Sequence, residues 1–296
     1  MKKRILFIFN MHAGKARIKG KLSDILNIFT EKGYEVTAYP TQFAGEAIEK
    51  IEKMESVYDY AVCSGGDGTL DEVVTGMMRR EKEKRIPIGY IPAGSTNDFA
   101  KSLGIPQNME EAARRVMEGK PFLCDIGSFN EDYFVYIAAF GIFTDVSYQT
   151  DQQMKNVLGH MAYILEGMKR LTSITSYELK IRSGDREIEG DFLFGMVTNS
   201  RSVGGFKSII GQSIVLDDGV FEATFIKRPK NILELNEILG ALLLAEIDER
   251  YMYCFKTDRL EIEARQEIPW TLDGEFGGEH RRVVVRNCQR ALEFMV

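Results

Sequence analysis

"CSGGDGTLDEVVTGMM", residues 63–78, opens on the turn Gly65-Gly66-Asp67-Gly68-Thr69. The apolar run Tyr60–Cys63 precedes it and predicts a buried strand. After it Leu70, Val73, Val74, Met77 and Met78 recur at helical spacing. A glycine-rich turn leaving a strand and entering a helix lies where open α/β sheets bind ligands. Glycines let a phosphate approach the backbone without Cβ interference, and the helix N-terminus adds unpaired N–H donors and a positive dipole end. Asp67 would add a carboxylate. The plainer reading is a tight glycine-rich βα turn. The motif is neither a Walker A loop nor G-x-G-x-x-G.

Outward from it, strand and helix signals alternate. Ile5–Phe9, Tyr34–Tyr39 and Ile86–Ile91 read as strands, Ile18–Lys32 and Ala44–Met54 as helices. Asn97 or Asp98 suits the cap of a further helix. The rhythm predicts an α/β N-terminal domain with a parallel sheet, residues 1–125. Later, Phe122–Phe129, Tyr133–Phe140, Tyr177–Ile181, Glu187–Thr198, Ser213–Leu216, Val220–Ile226, Arg259–Glu263 and Arg282–Val285 are strand-like. Helical patterns interrupt them at Met161–Leu171 and Ile232–Glu246. Residues 126–296 are therefore expected to form a C-terminal, mainly antiparallel β-sandwich domain.

Composition narrows the function. With 296 residues, 38 basic and 44 acidic side chains and a net charge of -6, the chain is not a basic nucleic-acid binder. The four cysteines form no CxxC pair, and with three histidines a Cys- or His-based metal site is disfavoured. No window approaches 18 uninterrupted apolar residues, and the run Ile5–Phe9 after Lys2, Lys3 and Arg4 is too short for a secretory signal. Membrane contact, if any, is expected to be peripheral and the protein cytoplasmic.

Two more loops follow strands in the same manner: "NMHAGK", residues 10–15, and "PAGSTNDFAKSLGIP", residues 92–106. GGDGT followed by P-x-G-S-x-N-D-F-A resembles the diacylglycerol kinase catalytic family, in particular its soluble bacterial lipid kinases. GGDGT alone is shared with NAD kinases, phosphofructokinase relatives and sphingosine kinases. The N-D-F-A-K-S-L-G-I-P continuation is more specific. The resemblance implies an NAD kinase/phosphofructokinase-like first domain, a β-sandwich lipid-substrate domain, and ATP between them.

By position it implies nucleotide contacts from Asn10, Met11, His12, Ala13, Gly14, Thr41, Gly65, Gly66, Asp67, Gly68, Thr69, Leu70, Asp71, Glu72, Gly94, Ser95, Asn97 and Asp98. Three departures stand out. The first loop lacks the family's N-P-x-S-G proline and hydroxyl. Asp71 replaces the usual asparagine. Ser95 replaces a threonine but keeps the hydroxyl.

Two later turns carry the remaining expectations. Asp217-Asp218-Gly219 reads from its residues as a hairpin turn. The resemblance instead implies a structural Mg²⁺ bound by the Asp218 carboxylate and the carbonyls of Val215 and Val220. Asp273-Gly274-Glu275 also reads as a D-G turn. In the family it holds the catalytic carboxylate, making Glu275, helped by Asp273, the base for a lipid hydroxyl. An ATP-dependent, Mg²⁺-requiring kinase acting on diacylglycerol at the inner membrane face is the leading expectation; a homodimer is compatible with it. An NAD kinase-like enzyme, a kinase of another long-chain lipid alcohol and a non-catalytic nucleotide- and lipid-binding protein are the alternatives. Phe140, Ile142, Phe143 and residues 154–168 are candidates for an acyl pocket, and Lys15, Arg17, Lys19 and Lys21 for anionic headgroups. Ordinary core packing and a solvated helix face are the competing readings.

Overall fold

The computed structural model describes residues 2–142, 175–200, 202–203, 206–207, 214–244 and 246–296. The helix expected at Met161–Leu171 and the candidate Phe143 lie outside these residues.

Four parallel strands, β1 (Arg4–Asn10), β2 (Glu35–Thr41), β3 (Tyr60–Gly65) and β4 (Ile88–Pro92), stand in the order β2-β1-β3-β4. Ile5–Phe9 is buried throughout, as is all of β4. Runs buried on both faces need helices above and below, and the intervening segments supply them. These are α1 (Ala13–Ala16), α2 (Leu22–Glu31), α3 (Glu46–Glu52), α4 (Asp67–Met78), α5 (Asp98–Leu103) and α6 (Met109–Glu118). Helix α6 was not anticipated. The Asn108 side chain caps it, accepting the Glu110 and Glu111 N–H groups, and Met109, Ala112, Ala113 and Val116 face inward. Gly89 of β4 lets it sit close: a Cβ there would stand 2.5 Å from Val116 Cγ1.

The later strands are β5 (Pro121–Phe129), β6 (Asp132–Phe134), β7 (Ile137–Gly141), β8 (Tyr177–Ser183), β9 (Arg186–Thr198), β10 (Ser202–Val203), β11 (Phe206–Lys207), β12 (Phe221–Lys227), β13 (Met252–Thr257), β14 (Arg259–Leu272) and β15 (Glu275–Met295). Helix α7 (Ile232–Leu244) lies between β12 and β13. The order β13-β12-β9-β7-β14-β15 is antiparallel throughout. These strands enclose a second, aromatic core in which Trp270 packs edge-on to Phe129 at 5.0 Å and Phe140 at 4.8 Å. Phe140 therefore belongs to packing. Tyr133–Phe140 was expected as one strand and is two. Residues 214–216 are not a strand, so Asp217-Asp218-Gly219 does not close a hairpin, whereas Asp273-Gly274 does, joining Leu272 to Glu275.

Strand β15 ties the two parts together. It pairs with β14 and β5, and Phe294 reaches Ile88 of β4 in parallel register. Leu292, Phe294 and Met295 fill the first core, where Phe294 meets Phe99 at 5.2 Å. The first sheet is thus completed by residues far beyond position 125. Asp125 fixes the crossing: its fully buried carboxylate accepts the N–H groups of Gly219 and Arg290 at 2.7 Å and the Asn287 amide at 3.1 Å.

Candidate active site

The carboxyl ends of the four parallel strands lie side by side, with Asn10 opposite Thr41, Phe9 opposite Ser64 and Gly65 opposite Pro92. The loops leaving them meet through glycines. Gly14 has φ +54, and a Cβ there would fall 1.7 Å from Ala93 O. A Cβ on Gly94 would fall 2.6 Å from Gly66 Cα. Gly65 O accepts the Ala93 and Gly94 N–H groups, binding the loop after β3 to the loop after β4. Gly66 is the N-cap of α4, whose first turn therefore presents N–H donors at this junction. Such a constellation has the donors and the open backbone that a phosphate requires.

Several expected ligand residues prove to be struts of the loops. Asn97 is buried in the left-handed region, and its amide donates to Gly94 O at 2.9 Å and Gln107 Oε1 at 3.1 Å. It begins α5 without capping it through its side chain. Glu72 caps α3, accepting the Gly45 and Ala47 N–H groups at 2.8 and 3.2 Å. Asn10 Oδ1 accepts the His12 N–H at 2.8 Å, and Thr41 Oγ1 points to Phe9 O at 3.5 Å. Leu70 is buried in the first core, and Met11 and Ala13 pack against it. Ser95 and His12 are exposed, and Thr69 is buried.

The acidic residues form the electrostatic centre. Asp67 Oδ2 accepts the Asp98 N–H at 3.3 Å, while its Oδ1 is sealed from solvent without a protein partner. Burial, then the nearby Asp98 charge, pushes Asp67 up to about 6. The Asp98 carboxylate is held by Lys101 Nζ at 3.1 Å.

The β14–β15 turn brings the last pieces. Asp273 and Gly274 both have positive φ, the conformation of a two-residue hairpin loop. The Asp273 carboxylate is buried and accepts the N–H groups of Val135 at 2.5 Å, Tyr136 at 2.9 Å and Ile137 at 3.0 Å. Both of its oxygens are anchored to the backbone, so Asp273 orients the turn. Glu275 remains open, and its Oε1 lies 3.1 Å from where a Gly68 Cβ would stand, over the glycine turn. Partial burial, and then the Glu72 charge, raises its carboxyl above the usual range, which suits a group that takes up a proton.

The Asp218 turn does not fit a resident cation. Asp218 Oδ1 accepts the Val220 N–H at 3.2 Å, and Oδ2 meets Lys256 Nζ at 3.1 Å, which also lies 3.3 Å from Glu222 Oε1. An ammonium group already bridges the two carboxylates. Val215 is exposed, and among the described residues no group of three His, Cys, Asp or Glu converges on a metal position. Of the candidate headgroup contacts, Lys21 is engaged with Glu110 at 2.7 Å.

Comparisons with known proteins identify the family. The profile of the diacylglycerol kinase catalytic domain matches residues 4–129. The chain is 34% identical over 281 residues to a diacylglycerol kinase of Staphylococcus carnosus, covering 94% of this chain and 90% of the relative. It is 34% identical over 279 residues to a diacylglycerol kinase of Bacillus subtilis, covering 93% and 91%. A solved Bacillus anthracis structure, provisionally named a diacylglycerol kinase, superposes with a TM-score of 0.82 at 25% identity, covering 99% of this chain and 95% of its own. A second, from the same organism, superposes with a TM-score of 0.77 at 22% identity and extends the likeness in fold. No described helix is long and apolar enough to cross a membrane. A chain 34% identical to such relatives over 94% and 93% of its own length belongs to the bacterial diacylglycerol kinase family, and the protein is a kinase.

Proposed function

We propose that the protein transfers the γ-phosphoryl group of Mg·ATP to the hydroxyl of diacylglycerol, giving phosphatidic acid and ADP. The observation that carries this reading is the position of Glu275 over Gly68, beside the amides of the α4 N-terminus. Phosphoryl transfer requires placement of the phosphates and an oriented nucleophile. The loops at Asn10–Gly14, Gly65–Thr69 and Gly94–Ser95 hold the phosphates through backbone N–H groups. Mg²⁺ bound with the nucleotide would offset phosphate charge. Glu275 accepts the proton of the lipid hydroxyl as its oxygen bonds to the γ-phosphorus and the bond to the β-phosphate oxygen breaks. Asp273 holds the turn that aims Glu275. The enzyme works from the cytoplasm, touching the inner membrane face peripherally to reach its substrate.

The test is labelled-phosphate transfer from ATP to a panel of diacylglycerol, other long-chain lipid alcohols and NAD. Glu275→Gln keeps the shape of the side chain but cannot accept the proton. A general base contributes about 10²–10⁴-fold, so kcat should fall at least ~10²-fold with ATP affinity nearly unchanged. Near-normal turnover in this variant, or transfer to NAD in place of lipid, would overturn the assignment.

A further inference from the structure

A second carboxyl faces Asp273. Asp71, in the first turns of α4, lies within hydrogen-bonding reach of it. Asp273 already receives three backbone N–H groups, whereas Asp71 Oδ1 is sealed from solvent with no partner. Two touching carboxylates cannot both stay ionised without a cation between them. Among the described residues no cationic side chain is placed between them. The charged and titratable groups around the pair are Asp67 and Glu72 on α4, Asp132 on β6, Tyr136 before β7, Tyr90 on β4, Asp98 and Lys101 on α5, and Glu275 on β15. Lys101 is bonded to Asp98, and Glu72 to the α3 amides. The anion belongs where the donors are, on Asp273.

We propose that Asp71 is a positioning residue: its carboxyl keeps a proton and donates it to Asp273, fastening the glycine-turn helix to the hairpin that carries Glu275. Burial, reinforced by the Asp273 charge, raises Asp71 well above the ordinary carboxylate range, in keeping with this role. The contact is complete while the pair holds its proton and is lost as pH rises through the upper titration of the pair. Two anions then repel across the cleft, and Glu275 parts from Gly68. The catalytic consequence rests on the function proposed above; the contact itself does not.

Asp71→Asn replaces the O–H donor by a permanent N–H donor, and Asp71→Leu removes the donor. Melting of the full chain is followed from about pH 5 to about pH 9. The wild type should melt lower as pH rises, Asp71→Asn should lose most of that slope, and Asp71→Leu should melt lower at every pH, by roughly 2–4 °C or more. The infrared C=O band of a buried carboxylic acid should be present at neutral pH in the wild type and absent in Asp71→Asn. Should Asp71→Leu fail to fold, the asparagine variant still decides. Identical pH slopes in wild type and Asp71→Asn, with the acid band unchanged, would overturn the proposal. If no form phosphorylates lipid, the functional reading falls while the melting curves and the band still judge the pair.

Discussion

Replacing Gly14 by alanine tests whether the close approach of the first and fourth loops forms the phosphate cradle. Two costs are expected. A left-handed backbone costs a non-glycine residue about 1–2 kcal/mol. The new Cβ would also stand 1.7 Å from Ala93 O. Carbon and oxygen rest near 3.5 Å, so the loops must separate by about 2 Å. Gly33→Ala isolates the second cost: Gly33 has φ +84, yet nothing lies within 4 Å of its Cβ position. It should lose only the backbone term, with ATP affinity intact. Gly14→Ala should melt lower than Gly33→Ala and bind ATP at least ~10-fold more weakly, the equivalent of about 1.4 kcal/mol. Calorimetric titration beside thermal unfolding measures both. Equal stability losses in the two variants, with wild-type ATP affinity in Gly14→Ala, would refute the idea that this contact shapes the site.

The remaining predictions concern charge. Asp67 titrates near 6 in the folded protein against an ordinary value near 4, so its protonated form is the stabilised one. Stability without nucleotide should fall as pH climbs from about 4 through 6, by a share on the order of 3 kcal/mol, and Asp67→Asn should remove that share; an unchanged pH–stability curve in this variant counts against the buried environment described. Because Lys256 already bridges Asp218 and Glu222, magnesium alone should leave the wild-type melting temperature unmoved. A drop on chelation that Asp218→Ala abolishes would restore the structural-cation reading.

The α/β half was readable because its signals are local. Ile5–Phe9 is buried on both faces and says so in five apolar residues, and the GGDGT turn punctuates strand and helix as expected. Helix α6 was missed because its inward positions are mostly alanines and single apolar residues amid charge. In the site, residue type was legible but role was not. Nothing local distinguishes Glu72, which caps a helix, from Glu275, which stays open. The difference arises from Gly45 and Ala47, more than twenty residues from Glu72, and from the glycine turn, some two hundred residues from Glu275. Likewise, the residues around Asp218 read as a hairpin turn, and its pairing with Lys256 from a separate strand has no local signal.

Strand β15 also constrains how the molecule is made. The parallel sheet is largely encoded before residue 100, yet Phe294 closes its exposed side at Ile88. On the ribosome the first half must wait, with that side open, for almost the whole chain to emerge. Contacts this distant in sequence slow folding, since a long loop must close before they form. The waiting side exposes Phe99 and its neighbours, making the half-finished chain the stage most prone to aggregate. Loss of the final few residues would therefore damage the nucleotide half first, though every one of its own strands and helices would still be present.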